Sequence, residues 1–262
     1  MEGTQRSKSV CEAYGVLGSA DSMKIALISD IHLAPGGLNR CGVPIAQIGE
    51  VLDELERTHD RLVVGGDLYD LSRPALLGAW RAHRELMLRE FGEVLERLEA
   101  YEAVFGNHDF ARRELGSKEV LSFKGRVLAT LLHGHQFDGG IKRIPGLAAS
   151  ANWVSGWAAR LGVDELGRAL GAVPVLLESQ RNLDANLRGL LAYNRVSPAQ
   201  ILITGHTHLL RACRIEGVVL VNSGCWEREP QWVSLDLDAG TVELNRMVNG
   251  RVIGNRVNAG PR

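Results

Sequence analysis

The sequence predicts an α/β fold whose loops carry polar ligands to one edge of its sheets. Three observations carry that expectation. Short β-branched apolar runs alternate with longer helical patterns, and five of those runs end in clusters rich in Asp, His and Asn. The chain is also long enough for one large core, with 262 residues, 45% of them hydrophobic and 23% charged.

The elements follow in order. Residues 1–22 are polar and Gly/Ser-rich without a continuous apolar stretch, so they are expected to be a disordered extension or a misassigned start, not a secretory signal. A domain spanning 23–250 then opens with the strand 24–29 (KIALIS). Apolar residues at three- and four-residue spacings predict helices over roughly 45–58 and 74–99, with Pro74 suited to a first helical turn. Further strands are expected at 61–65, 102–105 and 126–132. From 137 to 197 the strand signal gives way to helical stripes, Trp153, Trp157 and Leu161 in one and Leu183, Leu187, Leu190 and Leu191 in another. This predicts a lid-like helical insertion laid over the sheet. Strands resume at 200–204 and 218–222, and 231–237 with 241–247 form a hairpin turning at Asp238-Ala239-Gly240. Residues 251–262 are expected to be a flexible tail. Strands alternating with helices imply parallel pairing through right-handed crossovers.

Composition narrows the function classes. A formal net charge of −1 disfavours broad nucleic-acid binding, which needs a basic surface. Cys11, Cys41, Cys213 and Cys225 show no CxxC spacing, so a disulfide framework or structural zinc site is not expected and a cytoplasmic setting is. No apolar stretch is long enough to span a bilayer.

The chemistry lies in the clusters: Asp30-Ile31-His32, Gly66-Asp67-Leu68-Tyr69-Asp70, Gly106-Asn107-His108-Asp109, His133-Gly134-His135 and Gly205-His206-Thr207-His208. Ligands of open α/β sheets collect outside the carboxyl ends of the strands, where all five clusters would converge. Singly, each reads as a turn, a cap or a surface histidine; their recurrence in this order is what points to a site. Imidazole, carboxylate and amide donors together suit divalent manganese, iron, zinc, cobalt or nickel better than magnesium or calcium. Asp67 could bridge two such ions about 3.5–4 Å apart. Two dications against Asp30 and Asp67 leave a positive centre that attracts phosphate and acidifies a bridging water. His108 is the candidate acid for the leaving oxygen.

As an ordered set, D-x-H, G-D-x-x-D, G-N-H-D, H-G-H and G-H-T-H resemble the calcineurin-like metallophosphoesterases. The resemblance runs from the first strand to Gly224 and implies two packed mixed sheets flanked by helices. It also implies two divalent ions, manganese foremost. Asp30, His32, Asp67 and His208 would hold one ion; Asp67, Asn107, His133 and His206 would hold the other. His108 would be the catalytic histidine, and the substrate would be a phosphomonoester, phosphodiester or pyrophosphate attacked by a metal-bridging hydroxide; Asp109, the other candidate catalytic residue, could support His108 or cap the helix that follows. The insertion and Asn222-Ser223-Gly224-Cys225-Trp226 are similar to the UDP-2,3-diacylglucosamine hydrolase branch, whose G-N-R-D and H-G-D are G-N-H-D and H-G-H here.

Outside the ligand set, Asn39, Arg40, Arg112 and Arg113 are candidate substrate contacts, with a solvated surface as the plain alternative. Asp70 and His135 could orient a ligand, and Trp153, Trp157 and Trp226 fit packing or an aromatic lid. A small phosphorylated substrate is the expected partner; nucleic acid is less favoured and homo-oligomers stay open. The competing functions are a nuclease with the same metal centre, a lipid-pyrophosphate hydrolase, and a non-catalytic interaction scaffold.

Overall fold

The computed structural model describes residues 23–36, 38–70, 80–109, 115–123, 126–138 and 180–258. It contains two mixed sheets flanked by helices. The first sheet uses β1 (Lys24–Ile28), β2 (Arg61–Val64), β3 (Glu102–Ala103), β9 (Gln231–Asp236), β10 (Thr241–Val248) and β11 (Arg251–Asn258), in the order β11-β10-β9-β1-β2-β3. The second uses β4 (Lys118–Phe123), β5 (Arg126–Leu132), β6 (Ile201–Thr204), β7 (Arg211–Ile215) and β8 (Val218–Asn222), in the order β4-β5-β6-β8-β7.

Burial patterns show why these runs became strands. β1 is buried on both faces: Ile25 and Leu27 point into the layer between the sheets, Ala26 and Ile28 toward the helices. Val63, Ile201, Ile203, Val219, Val233 and Leu235 complete the inter-sheet layer. Outside the first sheet lies α1 (Ile45–Thr58), whose Ile48, Val51, Leu52 and Leu55 recur at helical spacing and are buried. Leu202 and Leu220 on the outer face of the second sheet meet Leu187, Leu190 and Leu191 of α4 (Gln180–Val196).

Parallel pairing joins β1, β2 and β3 in one sheet and β5, β6 and β8 in the other. Parallel neighbours end at the same side, so their carboxyl ends gather the loops that follow them.

Several expectations need correction. The helix foreseen over 74–99 is two helices among the described residues, α2 (Trp80–Phe91) and α3 (Glu93–Ala100); Gly92, at φ 52°, breaks the run between them. The sheets are mixed, as the resemblance implies: β4, β7, β9, β10 and β11 pair antiparallel, and β9 with β10 form the expected hairpin. Residues 251–258 of the expected flexible tail form β11, paired along its length with β10. β4 and β7 were not foreseen either. β7 (RACRI) is mostly exposed and carries no apolar alternation, so hydrogen bonding to β8 specifies it. Of the expected insertion, 139–179 lies outside the described residues, and Trp153 and Trp157 with it.

Candidate metal centre

Each sequence-predicted metal ligand sits just past a strand end. Asp30 and His32 follow β1, Asp67 follows β2, Asn107 and His108 follow β3, His133 follows β5, and His206 and His208 follow β6. Asp30, His32, Asp67 and His133 are almost completely buried.

The local backbone is unusual. Asp30, His32, Asp67, His206 and His208 all have φ between 53° and 68°, a region that side chains bearing a Cβ seldom occupy. Turning the chain back this way aims successive side chains into one space. The bent loops are tied to each other: Asp30 N–H donates to the Gly66 carbonyl at 3.1 Å and His32 N–H to the Asp67 carbonyl at 3.0 Å. His206 N–H donates to the Asp30 carboxylate at 3.0 Å, and His108 N–H to Asp67 Oδ1 at 2.8 Å. Two glycines are required by close approach. A Cβ at Gly106 would overlap Asp67 Oδ1 and its amide, and one at Gly205 would overlap Asp30 Oδ2.

Three overlapping donor groups result at the centre. Asp30, His32 and His208 offer atoms within 4.8 Å of one another, and so do His32, Asp67 and His108, and Asp67, His133 and His206. Within them, His208 Nε2 lies 3.3 Å from Asp30 Oδ1, and His32 Nε2 lies 3.1 Å from His208 Nε2. His133 Nε2 is 3.1 Å from Asp67 Oδ2 and 3.2 Å from Asn107 Oδ1.

Outer hydrogen bonds set which nitrogen each imidazole presents. His133 Nδ1 donates to the Gly65 carbonyl at 2.9 Å, leaving Nε2 toward Asp67. His206 Nε2 meets Asp138 Oδ2 at 3.0 Å, leaving Nδ1 for the centre. His208 Nδ1 faces Glu227 Oε1 at 3.5 Å, and Glu227 is itself held by Arg40 at 2.6 Å. Asp138 and Glu227 escaped sequence reasoning. Both are ordinary acidic residues outside any motif, and only the fold brings them to a ligand.

The electrostatics describe a centre that demands positive charge. Burial opposes ionisation of Asp30, but His133 and His208 outweigh it and hold its carboxyl down to about 2. Burial also opposes charging of His133, yet Asp67 and Asp30 push its pKa up to about 9. Without cations, the carboxylates draw protons onto imidazoles. His32 is the exception, pushed down to about 3 by burial and by its positive neighbours, so it is a neutral donor. Its Nδ1 is buried without a hydrogen-bond partner. Buried carboxylates among neutral and charge-seeking imidazoles fit divalent cations well.

The other predicted residues divide. His108 Nδ1 lies 3.0 Å from Oδ1 of the fully buried Asp70, and the two rings of His32 and His108 pack edge-on at 4.8 Å. The Asp109 carboxylate accepts the amides of Asp67 (2.7 Å), Tyr69 (3.1 Å) and Gly106 (3.3 Å), tying the loops that carry Asp67 and His108 together. Asn39 folds back onto the Cys41 backbone through both side-chain atoms. Arg40 reaches the rim of the centre through Glu227. Arg112 and Arg113 lie outside the described residues. Trp226 is fully buried with its indole N–H donating to the Gln231 carbonyl at 2.7 Å, a packing role. His135 packs tilted against His133 and edge-on to Phe105, and its pKa falls to about 4 through burial and the His133 charge.

Beside His206, a cavity runs between α4 and the second sheet, walled by Leu187, Leu190, Thr204 and Arg211. Asn186 also lines it, and its buried Oδ1 has no hydrogen-bond partner.

Residues 23–239 match the calcineurin-like phosphoesterase superfamily domain. The chain belongs to that superfamily. Among solved structures, a single-mutant Vps29 from Entamoeba histolytica is similar at 20% identity and TM-score 0.52, covering 90% of this chain and 99% of that one. Wild-type Vps29 from the same organism, complexed with zinc, gives 20% identity and TM-score 0.50, with 91% of this chain and 100% of that one covered. Vps29 of Chaetomium thermophilum gives 14% identity and TM-score 0.51, over 90% and 95% of the two chains. At these identities the likeness concerns the fold. No curated protein matches the chain. Among the described residues, no helix is long and apolar enough to cross a membrane.

Proposed function

We propose that this calcineurin-like phosphoesterase is a two-metal enzyme that hydrolyses a phosphomonoester, phosphodiester or pyrophosphate. The observation that carries the reading is His108. Its ring abuts His32 of the donor set, while a buried carboxylate holds its far nitrogen. An oriented imidazole beside the donor set is what a proton donor at a metal centre requires.

Asp30, His32 and His208 would hold one cation, Asp67, Asn107, His133 and His206 the other, with Asp67 shared. Bound there, divalent cations supply Lewis acidity that draws in phosphoryl oxygens and lowers the pKa of a water to make a nucleophile near neutral pH. The chain's own groups do the rest. Asp70 accepts the His108 Nδ1 proton and so aims Nε2 at the substrate. Burial opposes the charged imidazole, but Asp67 and Asp70 outweigh it and raise the His108 pKa. That favours the protonated imidazole, the form that could give a proton to the leaving oxygen as the P–O bond breaks. Arg40 at the rim offers a guanidinium to a phosphoryl oxygen. The cavity beside His206 would take the non-transferred part of the substrate, with leucines for its apolar face and Asn186 Oδ1 for a donor group.

Purified protein loaded with manganese should release nitrophenol from p-nitrophenyl phosphate or bis(p-nitrophenyl) phosphate. Asp67→Asn should lose turnover and metal together, whereas His108→Ala should keep its metal and lose about 10²–10⁴-fold in rate. Metal-replete protein inert toward both substrates would leave the scaffold reading in its place.

A further inference from the structure

We propose that His208, Cys225 and Glu227 form a separate site for a soft divalent cation of the zinc class, which competes with the catalytic centre for His208. One donor atom from each residue lies within 4.8 Å of the others. All three residues are partly exposed, so an ion can reach them from solvent. The intervening Trp226 is buried and anchored to Gln231, and the Cys225 amide donates to Gln231 Oε1 at 3.2 Å. The segment carrying the thiol and the carboxylate is thus held on a fixed base beside His208.

The donor types set the selectivity. A thiolate favours zinc and cobalt over manganese and magnesium, which prefer oxygen. Binding converts the Cys225 thiol to a metal-bound thiolate and releases its proton to solvent. The charge balance permits it: the thiolate and Glu227 contribute two negative charges, and Arg40 at 2.6 Å from Glu227 Oε1 offsets one. A dication still meets net negative charge.

Competition follows from the imidazole itself. His208 Nε2 faces Asp30 at 3.3 Å, and Nδ1 faces Glu227 at 3.5 Å. A neutral imidazole has one lone pair, so it can serve a cation through only one of these nitrogens. An ion held by Nδ1 with Cys225 and Glu227 puts the proton on Nε2 and removes His208 from the catalytic set. Zinc would then inhibit a manganese-loaded enzyme through a residue outside that set. This consequence rests on the two-metal reading; the binding itself does not.

The experiment titrates cobalt(II) into manganese-loaded full-length protein and follows thiolate-to-cobalt charge-transfer absorbance in the near ultraviolet. Cys41 is buried close to Cys225, so Cys41→Ser is the control. The band should appear in the wild type and in Cys41→Ser, and vanish in Cys225→Ser. In parallel, the zinc concentration that halves manganese-supported turnover should rise at least about tenfold in Cys225→Ser, the lower end for losing even an outer partner of a metal. Absence of the band in folded wild-type protein, or its persistence in Cys225→Ser, overturns the site. The band with unchanged zinc inhibition in Cys225→Ser overturns the competition. A protein inert with manganese that still shows the Cys225-dependent band keeps this site and loses the phosphoesterase reading.

Discussion

Replacing Asp70 by asparagine isolates the charge that holds His108. Asp70 is fully buried, and its Oδ1 lies 3.0 Å from His108 Nδ1, so bulk solvent does little to screen the pair. Asparagine keeps the shape and an acceptor oxygen but removes the negative charge. A hydrogen bond to a charged group contributes about 1.5–3 kcal/mol and a neutral one about 1 kcal/mol. The difference of about 0.5–2 kcal/mol corresponds to roughly one pH unit. The sign follows from the direction of the shift. Burial opposes a protonated His108, while Asp67 and Asp70 raise its pKa above the ordinary value. Removing one of those carboxylates lowers it. A general acid must be protonated, so the alkaline limb of kcat/KM should move about one unit toward lower pH. The assay is a pH profile of the manganese-loaded enzyme on phenyl phosphate and on p-nitrophenyl phosphate. Phenolate is the poorer leaving group and needs the proton more, so its rate should fall further. An unmoved alkaline limb, with equal losses for both substrates, would refute His108 as the proton donor.

Gly205→Ala places a methyl group against Asp30 Oδ2, and should cost most of the bound metal, read by elemental analysis, while the far-ultraviolet circular dichroism stays native. Stripping metal with a chelator should lower the melting temperature by roughly 5–10 °C, because a ligand at 100 times its Kd adds about 2.7 kcal/mol and a domain of this size shifts about 2–4 °C per kcal/mol. In the stripped protein the His133 pKa is raised to about 9, so its contribution to stability is complete below 6.5 and disappears as pH rises through 9. Urea midpoints should fall across that window without metal and hold steady with it. Leu190→Trp fills the cavity beside His206; it should raise KM for a bulky nucleotide substrate several-fold and leave p-nitrophenyl phosphate unaffected, and equal effects on both would place the substrate elsewhere.

Much of the fold was legible because burial writes itself into periodicity. β5 and β8 fall at the bounds their apolar runs suggest, and α1 follows its buried stripe. The strands that escaped notice are specified differently. β11 is exposed over most of its length, so no hydrophobic alternation marks it. A local signal did exist: Asn249 and Gly250 adopt φ 50° and 73°, the left-handed pair of a tight hairpin turn between Val248 and Arg251. Glu216 and Gly217 turn β7 into β8 in the same way. At the site, motif residues were legible because five clusters recur at strand ends. Asp138 and Glu227 were not, since nothing local distinguishes an acid that meets histidine across 68 residues of chain or across the centre.

The backbone at the centre argues that the geometry serves function. A residue other than glycine in the left-handed region costs about 1–2 kcal/mol. Asp30, His32, Asp67, His206 and His208 all sit there. Five such residues together cost roughly 5–10 kcal/mol, comparable with the net stability of a whole domain. Glycine would relieve the strain at each position. Among the described residues, the only other non-glycine positions with positive φ, Glu216 and Asn249, lie in tight turns that demand it. The strain is therefore confined to residues whose side chains offer metal donors, and is offset by the hydrogen bonds between their loops and by buried packing on both sides of β1. A fold under pressure only to be stable would shed it. One that must bring metal-donor side chains around a common space has reason to keep it.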